Sequence, residues 1–284
     1  MRQISSSLLR DKLALVGAIL IVGFILVALL APLISPYPDQ GRGIAYPELQ
    51  FLPPSSSHLF GTDQLGRDVL SRVLFGAYSS LLVAFAVVAI SLAVGVPLGI
   101  VAGYYGGWID ETIMRITDIF LSFPSLLLAL IIVATLGPSE TNLIIAIAVT
   151  WWPWYTRIER AQAVSLRGRY FVLSARAIGV SNVRIILRHI LPNAWGPIIV
   201  QATMDFGGVI LTAAGLSFLG LGVQPPAADW GLMISEGRTY FLQYWWIAAF
   251  PGLAILIASL AFNLVGDSLR EIIDPRLKTR GIIH

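Results

Sequence analysis

The sequence predicts an all-α membrane protein with six transmembrane helices and one long polar loop between the fourth and the fifth. Three observations predict it. Of its 284 residues, 56% are hydrophobic and only 12% charged, against roughly 25% charged in a soluble domain. The apolar residues come in runs close to the ~20 that a helix needs to cross a bilayer. Lysines and arginines collect in alternate connections, as the positive-inside rule requires. Helix rather than open sheet follows, because a run in lipid must satisfy its own backbone hydrogen bonds.

The first span is Leu13 to Ile34, behind Arg10 and Lys12. It exceeds the ~7–15 residues of a signal-peptide core and reads as a retained anchor. No charge occurs between Arg72 and Asp110, and Ser79 to Ala102 makes the second span. Ile119 to Gly137, with Pro124 inside it, makes the third. Leu143 to Tyr155 is shorter, ends in "WWPWY", and makes the fourth. Gly196 to Gly220, carrying Asp205, is the fifth, and Tyr244 to Val265 the sixth.

With both termini in the cytoplasm, fifteen lysines and arginines fall on that side, and only Arg42, Arg67, Arg72 and Arg238 fall outside. Trp151, Trp152, Trp154 and Tyr155 mark one interface, and Tyr244, Trp245 and Trp246 the other. The chain divides into a tail and first helix (1–35), an extracytoplasmic loop (36–76), the main membrane domain (77–266) and a cytoplasmic tail (267–284).

Several chemistries are excluded. There is no cysteine, hence no disulfide, thiolate zinc site or cysteine nucleophile. His58, His189 and His284 are scattered, whereas a metal site needs three or four converging ligands. The only lysines, Lys12 and Lys278, do not follow glycine, so no P-loop exists. HExxH and Gly-x-Ser-x-Gly are both missing. A secondary transporter would show inverted repeats and ion-coordinating acids in its spans, and neither is evident.

The loop from about Arg157 to Pro192 holds seven arginines and one acid, Glu159. "FVLSARAI" reads as a helix that Gly179 ends in the left-handed conformation. Ser181 reads as the N-cap of "NVRIILRHI", which Pro192 stops. Val183, Ile186, Leu187 and Ile190 share one face at helical spacing. That stripe needs a cover, either the bilayer interface or another protein.

Ala175, Gly179, Ile190, Leu191 and Pro192 reproduce the A-x3-G-x(10)-I-L-P part of the EAA loop. The loop thereby resembles that of permease subunits of ABC importers. The resemblance implies the type I importer permease fold. It also implies that this loop couples to the ATP-hydrolysing subunit through Ala175, Arg176, Gly179, Ile186, Ile190, Leu191 and Pro192. Leu173 and Ser174 stand where the family carries Glu and Ala, so an ion pair made by that Glu is missing.

"HLFGTDQLGRDVLSR" (58–72), "LSFLGLGVQPPAADWG" (216–231) and "NLVGDSLREIIDPRLK" (263–278) are similar to the C-type permeases of the dipeptide, oligopeptide and nickel importers. In the first of these, Gly61 and Gly66 permit tight entry to a short helix. Asp63 with Arg67, and Asp68 with Arg72, pair along it at i,i+4. This makes Gly61, Thr62, Asp63, Gly66, Arg67 and Asp68 an extracytoplasmic signature that orients the second span. In the family the region faces the external binding protein.

By resemblance the chain is not an enzyme. It is half of a channel for peptides, oligosaccharides or nickel chelates in the cell membrane. Its partners are then a B-type permease, two ATP-binding subunits that hold ATP and Mg, an extracytoplasmic binding protein and the bilayer, with no nucleic acid. The chain itself carries no cofactor. A carboxylate at the bilayer centre costs at least about 2.5 kcal/mol, which singles out Asp118 and Asp205. Asp118 reads as the partner of Arg115. Asp205 has no evident partner and faces either the translocation path or the second permease.

Overall fold

The structure, a computed structural model, describes residues 11–273. The tail before Asp11 and the basic tail beyond Ile273, with Arg276, Lys278 and Arg280, lie outside the described residues. The main helices are α1 (Lys12–Ile34), α2 (Val69–Tyr105), α3 (Gly107–Leu121), α4 (Ser125–Leu136) and α5 (Glu140–Arg167). They continue with α6 (Tyr170–Ala177), α7 (Asn182–Phe218), α8 (Trp230–Gly237) and α9 (Trp246–Ile273). Among the described residues the only β pairing is a single bridge between Thr62 and Asp68.

Four helices, α1, α2, α7 and α9, are long and apolar enough to cross a membrane, and the bent pair α3–α4 makes a fifth if counted as one span. α5 has 28 residues, about 42 Å at 1.5 Å per residue. Its apolar stretch is diluted by threonines, tryptophans and Arg157.

The third run is not one straight helix. α3 and α4 meet at 84°, and Pro124 stands at the N-cap of α4 rather than inside a helix. Proline lacks the N–H that an inner turn needs and drives the preceding residue out of the α region. α3 is consequently an amphipathic helix whose polar side meets α5. Its Asp110 receives Arg160 Nε and Nη2 at 2.5 and 2.7 Å. Asp118 pairs with Arg157 at 2.6 Å, and Arg115 pairs instead with Glu111 at 2.9 Å. The expected Asp118–Arg115 pair is corrected: the spacing allowed it, but α5 brings a closer cation.

α2 and α5 form the spine of the bundle. Gly95, Gly99 and Gly103 lie on one face of α2, where a Cβ would approach the carbonyls of Trp152, Thr156 and Arg160 to 2.6, 2.5 and 2.5 Å. Small residues every four positions let two backbones touch, which is how membrane helices gain contact without a hydrophobic drive. Gly207 of α7 similarly meets α9, where Ser259 Oγ donates to its carbonyl at 3.2 Å. α1 leans on α9 and α2 through Ala14, Gly17, Ala28 and Ala31 and leaves its leucines outward. The bundle thus has two ends. One carries the 58–72 signature and α8, the other carries α6 and the start of α7.

Candidate functional site

The loop end is built on a helix stop. Gly179 has φ +81°, Val180 N–H donates to Ala175 O, and Gly179 N–H donates to Arg176 O, both at 3.1 Å. This is the Schellman arrangement that ends a helix at a left-handed residue. Val180 then packs with Val172, Ala175, Ile185 and Ile190 against Val96, Ile100 and Tyr104 of α2. Tyr104 hydroxyl donates to Asn182 Oδ1 at 2.8 Å, Arg176 lies 5.3 Å over the Tyr104 ring, and Arg167 Nη1 donates to Gly103 O at 3.0 Å. These contacts tie the loop to the ends of α2 and α5.

Three local expectations are corrected. Ser181 occupies the N-cap position with extended backbone, but its side chain makes no capping bond. Pro192 does not stop the helix. Ile186–Ile190 is a π-helical turn, and α-helix resumes from Leu191 to Phe218. The wider turn accommodates a proline that lacks an N–H, while Asn193 Nδ2 donates to His189 O at 2.7 Å.

The same turn rephases the apolar stripe. Residues five apart now share a face, so Ile185 and Ile190 are both buried while Val183 and Leu187 point outward and Ile186 is half-buried. Leu191 is half-buried and Pro192 exposed. The most exposed apolar groups of the loop are Tyr170, Ile178, Val183 and Leu187, at 89, 81, 63 and 57% exposure, with Phe171 and Leu173 less so. Arg176, Arg184 and Arg188 surround them, also exposed.

The signature end is the opposite. The expected short helix is absent: residues 58–68 form a tight loop, and Asp68 is the N-cap of α2, accepting from Ser71 N–H at 2.8 Å and Ser71 Oγ at 2.7 Å. Asp63 does meet Arg67 Nε at 2.6 Å, and its Oδ1 also accepts from the N–H groups of Leu65 and Arg67. Asp68 does not pair with Arg72. It lies 2.9 Å from His58 Nδ1.

Arg72 instead donates to the carbonyls of Pro226 and Ala227, both at 3.3 Å, and Arg67 Nη2 donates to Glu236 of α8 at 2.8 Å. Thr62, Asp63, Arg67, Asp68 and Arg72 are all buried. A charge in such a place needs pairing: Glu236 of α8 takes Arg67, and the segment before α8 takes Arg72, whose Nε stays without a hydrogen bond. Gly66, at φ +74°, admits no side chain, because a Cβ would fall 1.8 Å from Tyr46 O. Gly61 sits against Trp246, whose Nε1 donates to Thr62 O at 3.1 Å. Asp229 caps α8 through Leu232 N–H at 3.0 Å and accepts from Ser80 at 3.2 Å. Burial nevertheless pushes its carboxyl above the usual range.

A bundle with a packed, outward-facing loop at one end and a sealed ionic loop at the other has relatives. The family model described as binding-protein-dependent transport system inner membrane component matches residues 95–279. The chain belongs to that family. A second model, the N-terminal TM domain of oligopeptide transport permease C, matches residues 1–54. A dipeptide transport system permease protein of Alkalihalophilus pseudofirmus is 48% identical over 98% of this chain and 90% of its own. A probable D,D-dipeptide transport system permease protein of Escherichia coli is 44% identical over 94% and 88%. A glutathione transport system permease protein of Escherichia coli is 45% identical over 95% and 88%. The inward-facing MetNI methionine ABC transporter shares the fold, at TM-score 0.58 and 19% identity over 72% of this chain and 97% of that one.

Midway along the permease bundle stands Asp205 of α7. The expectation that it lacks a partner is corrected: Gln201 Nε2, one turn earlier, donates to its Oδ1 at 2.9 Å. Tyr155 and Trp151 of α5 lie beside the carboxylate. Reasoning from sequence missed Gln201, Glu236, His58 and Tyr104. For Glu236 alone a signal existed, an acid and Arg238 set close together between the fifth and sixth spans.

Proposed function

We propose that this chain is the membrane-spanning permease subunit of an ATP-driven importer and forms half of a channel for peptides delivered by an extracytoplasmic binding protein. The observation that carries the reading is its likeness, over nearly the whole chain, to permeases whose names state dipeptide, D,D-dipeptide and glutathione transport. Their common substrate chemistry is a short peptide, which favours peptides over oligosaccharides or nickel chelates.

In this reading six spans cross the membrane, α5 and the α3–α4 pair included, with both termini in the cytoplasm. The chain catalyses nothing. Two ATP-binding subunits hold ATP and Mg, and a B-type permease supplies the other half of the channel. The loop end couples to an ATP-binding subunit. Ala175, Gly179, Ile190, Leu191 and Pro192 give the loop its shape, while Arg176, Ile186 and the outward Ile178, Val183 and Leu187 meet the partner. The signature residues Gly61, Thr62, Asp63, Gly66, Arg67 and Asp68 hold a rigid platform where the binding protein docks.

The deciding experiment is uptake by proteoliposomes that contain the complete transporter and its binding protein. ATP-dependent accumulation of a dipeptide is expected. Accumulation of an oligosaccharide or a nickel chelate without any peptide would overturn the substrate assignment. Sidedness has its own test, because the chain has no cysteine and Ser56 and Ser181 are both exposed. A cysteine at 56 should react with an impermeant thiol reagent on intact cells, and one at 181 only after lysis.

A further inference from the structure

Along α7, Gln201, Asp205, Gly208 and Thr212 follow at spacings of four, three and four, which places them on one face. In lipid that face would be apolar. Here it is a polar and small stripe, and its surroundings change along its length. Towards the signature end Gly208 is exposed, and Thr212 hydroxyl turns back to Gly208 O at 2.9 Å. Towards the loop end Gln201 lines a cavity of about 350 Å³ together with Ile158, Pro197, Val200, Met204, Ile273 and one cation, Arg270. Asp205 lies between these two open stretches. Its Oδ2 and the Tyr155 hydroxyl are enclosed next to one another without a well-formed hydrogen bond. Trp151 covers the step, its ring edge 3.9 Å from where a Cβ on Gly208 would stand.

We propose that Asp205, with Gln201, Trp151 and Tyr155, is a mid-membrane subsite that binds a primary ammonium group, the free amino end of a peptide in passage. The assignment rests on the peptide-import reading and says where in the chain the peptide is read. Every group that touches the carboxylate is neutral: an amide, an indole and a phenol. Such neighbours can orient the carboxylate but leave its charge uncompensated, which is costly at this depth. An ammonium group compensates it and brings three N–H donors. The two aromatic rings add attraction for a cation. A divalent metal is a poor fit, since it takes about six oxygen ligands and a single carboxylate lies here. Contact is needed only while the site is open, so the enclosed state is the step between peptides.

The test uses the complete transporter with its binding protein in nanodiscs, turning over a tripeptide whose N-terminal residue is photo-leucine and whose amino group is free. Illumination should join the label to Trp151, Tyr155 or the 201–212 stripe, located by mass spectrometry. Asp205→Asn should lower that yield about tenfold, the loss expected for one charge-assisted contact, while Asp205→Glu keeps most of it. Labels only elsewhere in the chain, or equal yield in Asp205→Asn, overturn the subsite. If Asp205→Asn does not accumulate, the label map of the unsubstituted transporter decides. If proteoliposomes of the same preparation take up no peptide at all, the failure belongs to the peptide-import reading instead.

Discussion

The two ends of the bundle use the same residue types to opposite effect. Each end combines glycines with arginines and a short helix. At the signature end Arg67 and Arg72 are buried and spend their donors inside the chain, on Asp63, Glu236 and two carbonyls. At the loop end Arg176, Arg184 and Arg188 are exposed, and Ile178, Val183 and Leu187 stand among them. A loop whose charged groups pair mostly within the chain offers a fixed shape. A loop whose apolar groups remain uncovered by its own chain calls for another cover, the bilayer interface or a second protein. The difference between the ends is therefore in where the interactions close, within this chain or beyond it.

The largest expected effect breaks the closed end. Arg67→Met removes the nearer cation from buried Asp63 and half-buried Glu236 and leaves them only Arg72, at 3.8 and 3.7 Å, which should cost about 3 kcal/mol. The thermal midpoint in detergent and the amount recovered in membranes should both fall steeply. Near-normal stability would mean that water reaches this network freely.

Next in size is a pair at the open end. Leu187→Asp should leave membrane levels unchanged and weaken binding of the ATP-binding subunit by about 2 kcal/mol, as expected for an apolar anchor at an interface. Ile190→Asp, three residues away and fully buried, should instead lower accumulation. Equal behaviour of the two in a pull-down and a membrane blot would show that the π-turn does not separate them.

Gly179→Val forces a branched residue into positive φ, at a cost of roughly 1–2 kcal/mol or more. A side chain on Gly179 meets open space, so the chain should still insert, while transport and binding-protein-stimulated ATP hydrolysis are lost. Gly168→Ala is the matched control, since Gly168 has φ −90° and open space around it. The smallest effect is expected at an exposed ion pair. Arg115→Gln, which removes the contact with Glu111, should change stability by less than about 1 kcal/mol, measured by the same thermal midpoint.

Much of this was legible in the residues. Hydropathy located four helices long and apolar enough to cross a membrane, because that is a requirement on composition and length, but it read the bent pair α3–α4 as one span. The left-handed Gly179 was legible for a similar reason: its helix stop is completed by hydrogen bonds within six residues. The Asp63–Arg67 contact was read from spacing, although the backbone between them is a loop and not a helix. Short range alone was not enough: Asp68–Arg72, Asp118–Arg115 and the Ser181 cap also lie within one turn, and in the first two a residue from elsewhere in the chain took the acid.

The sequence by itself determined the membrane class, the positions of the apolar runs and the turn at Gly179. Each follows from side-chain chemistry and local backbone sterics. Tertiary structure alone decided that Arg67 reaches Glu236, 169 residues away, that Arg157 rather than Arg115 holds Asp118, and that Asp68 caps a helix instead of pairing with Arg72. It also decided that Ile190 turns inward and Leu187 outward. A charged or apolar side chain states what kind of neighbour it needs, but several neighbours qualify, and the packing of α2, α5, α7 and α8 selects among them.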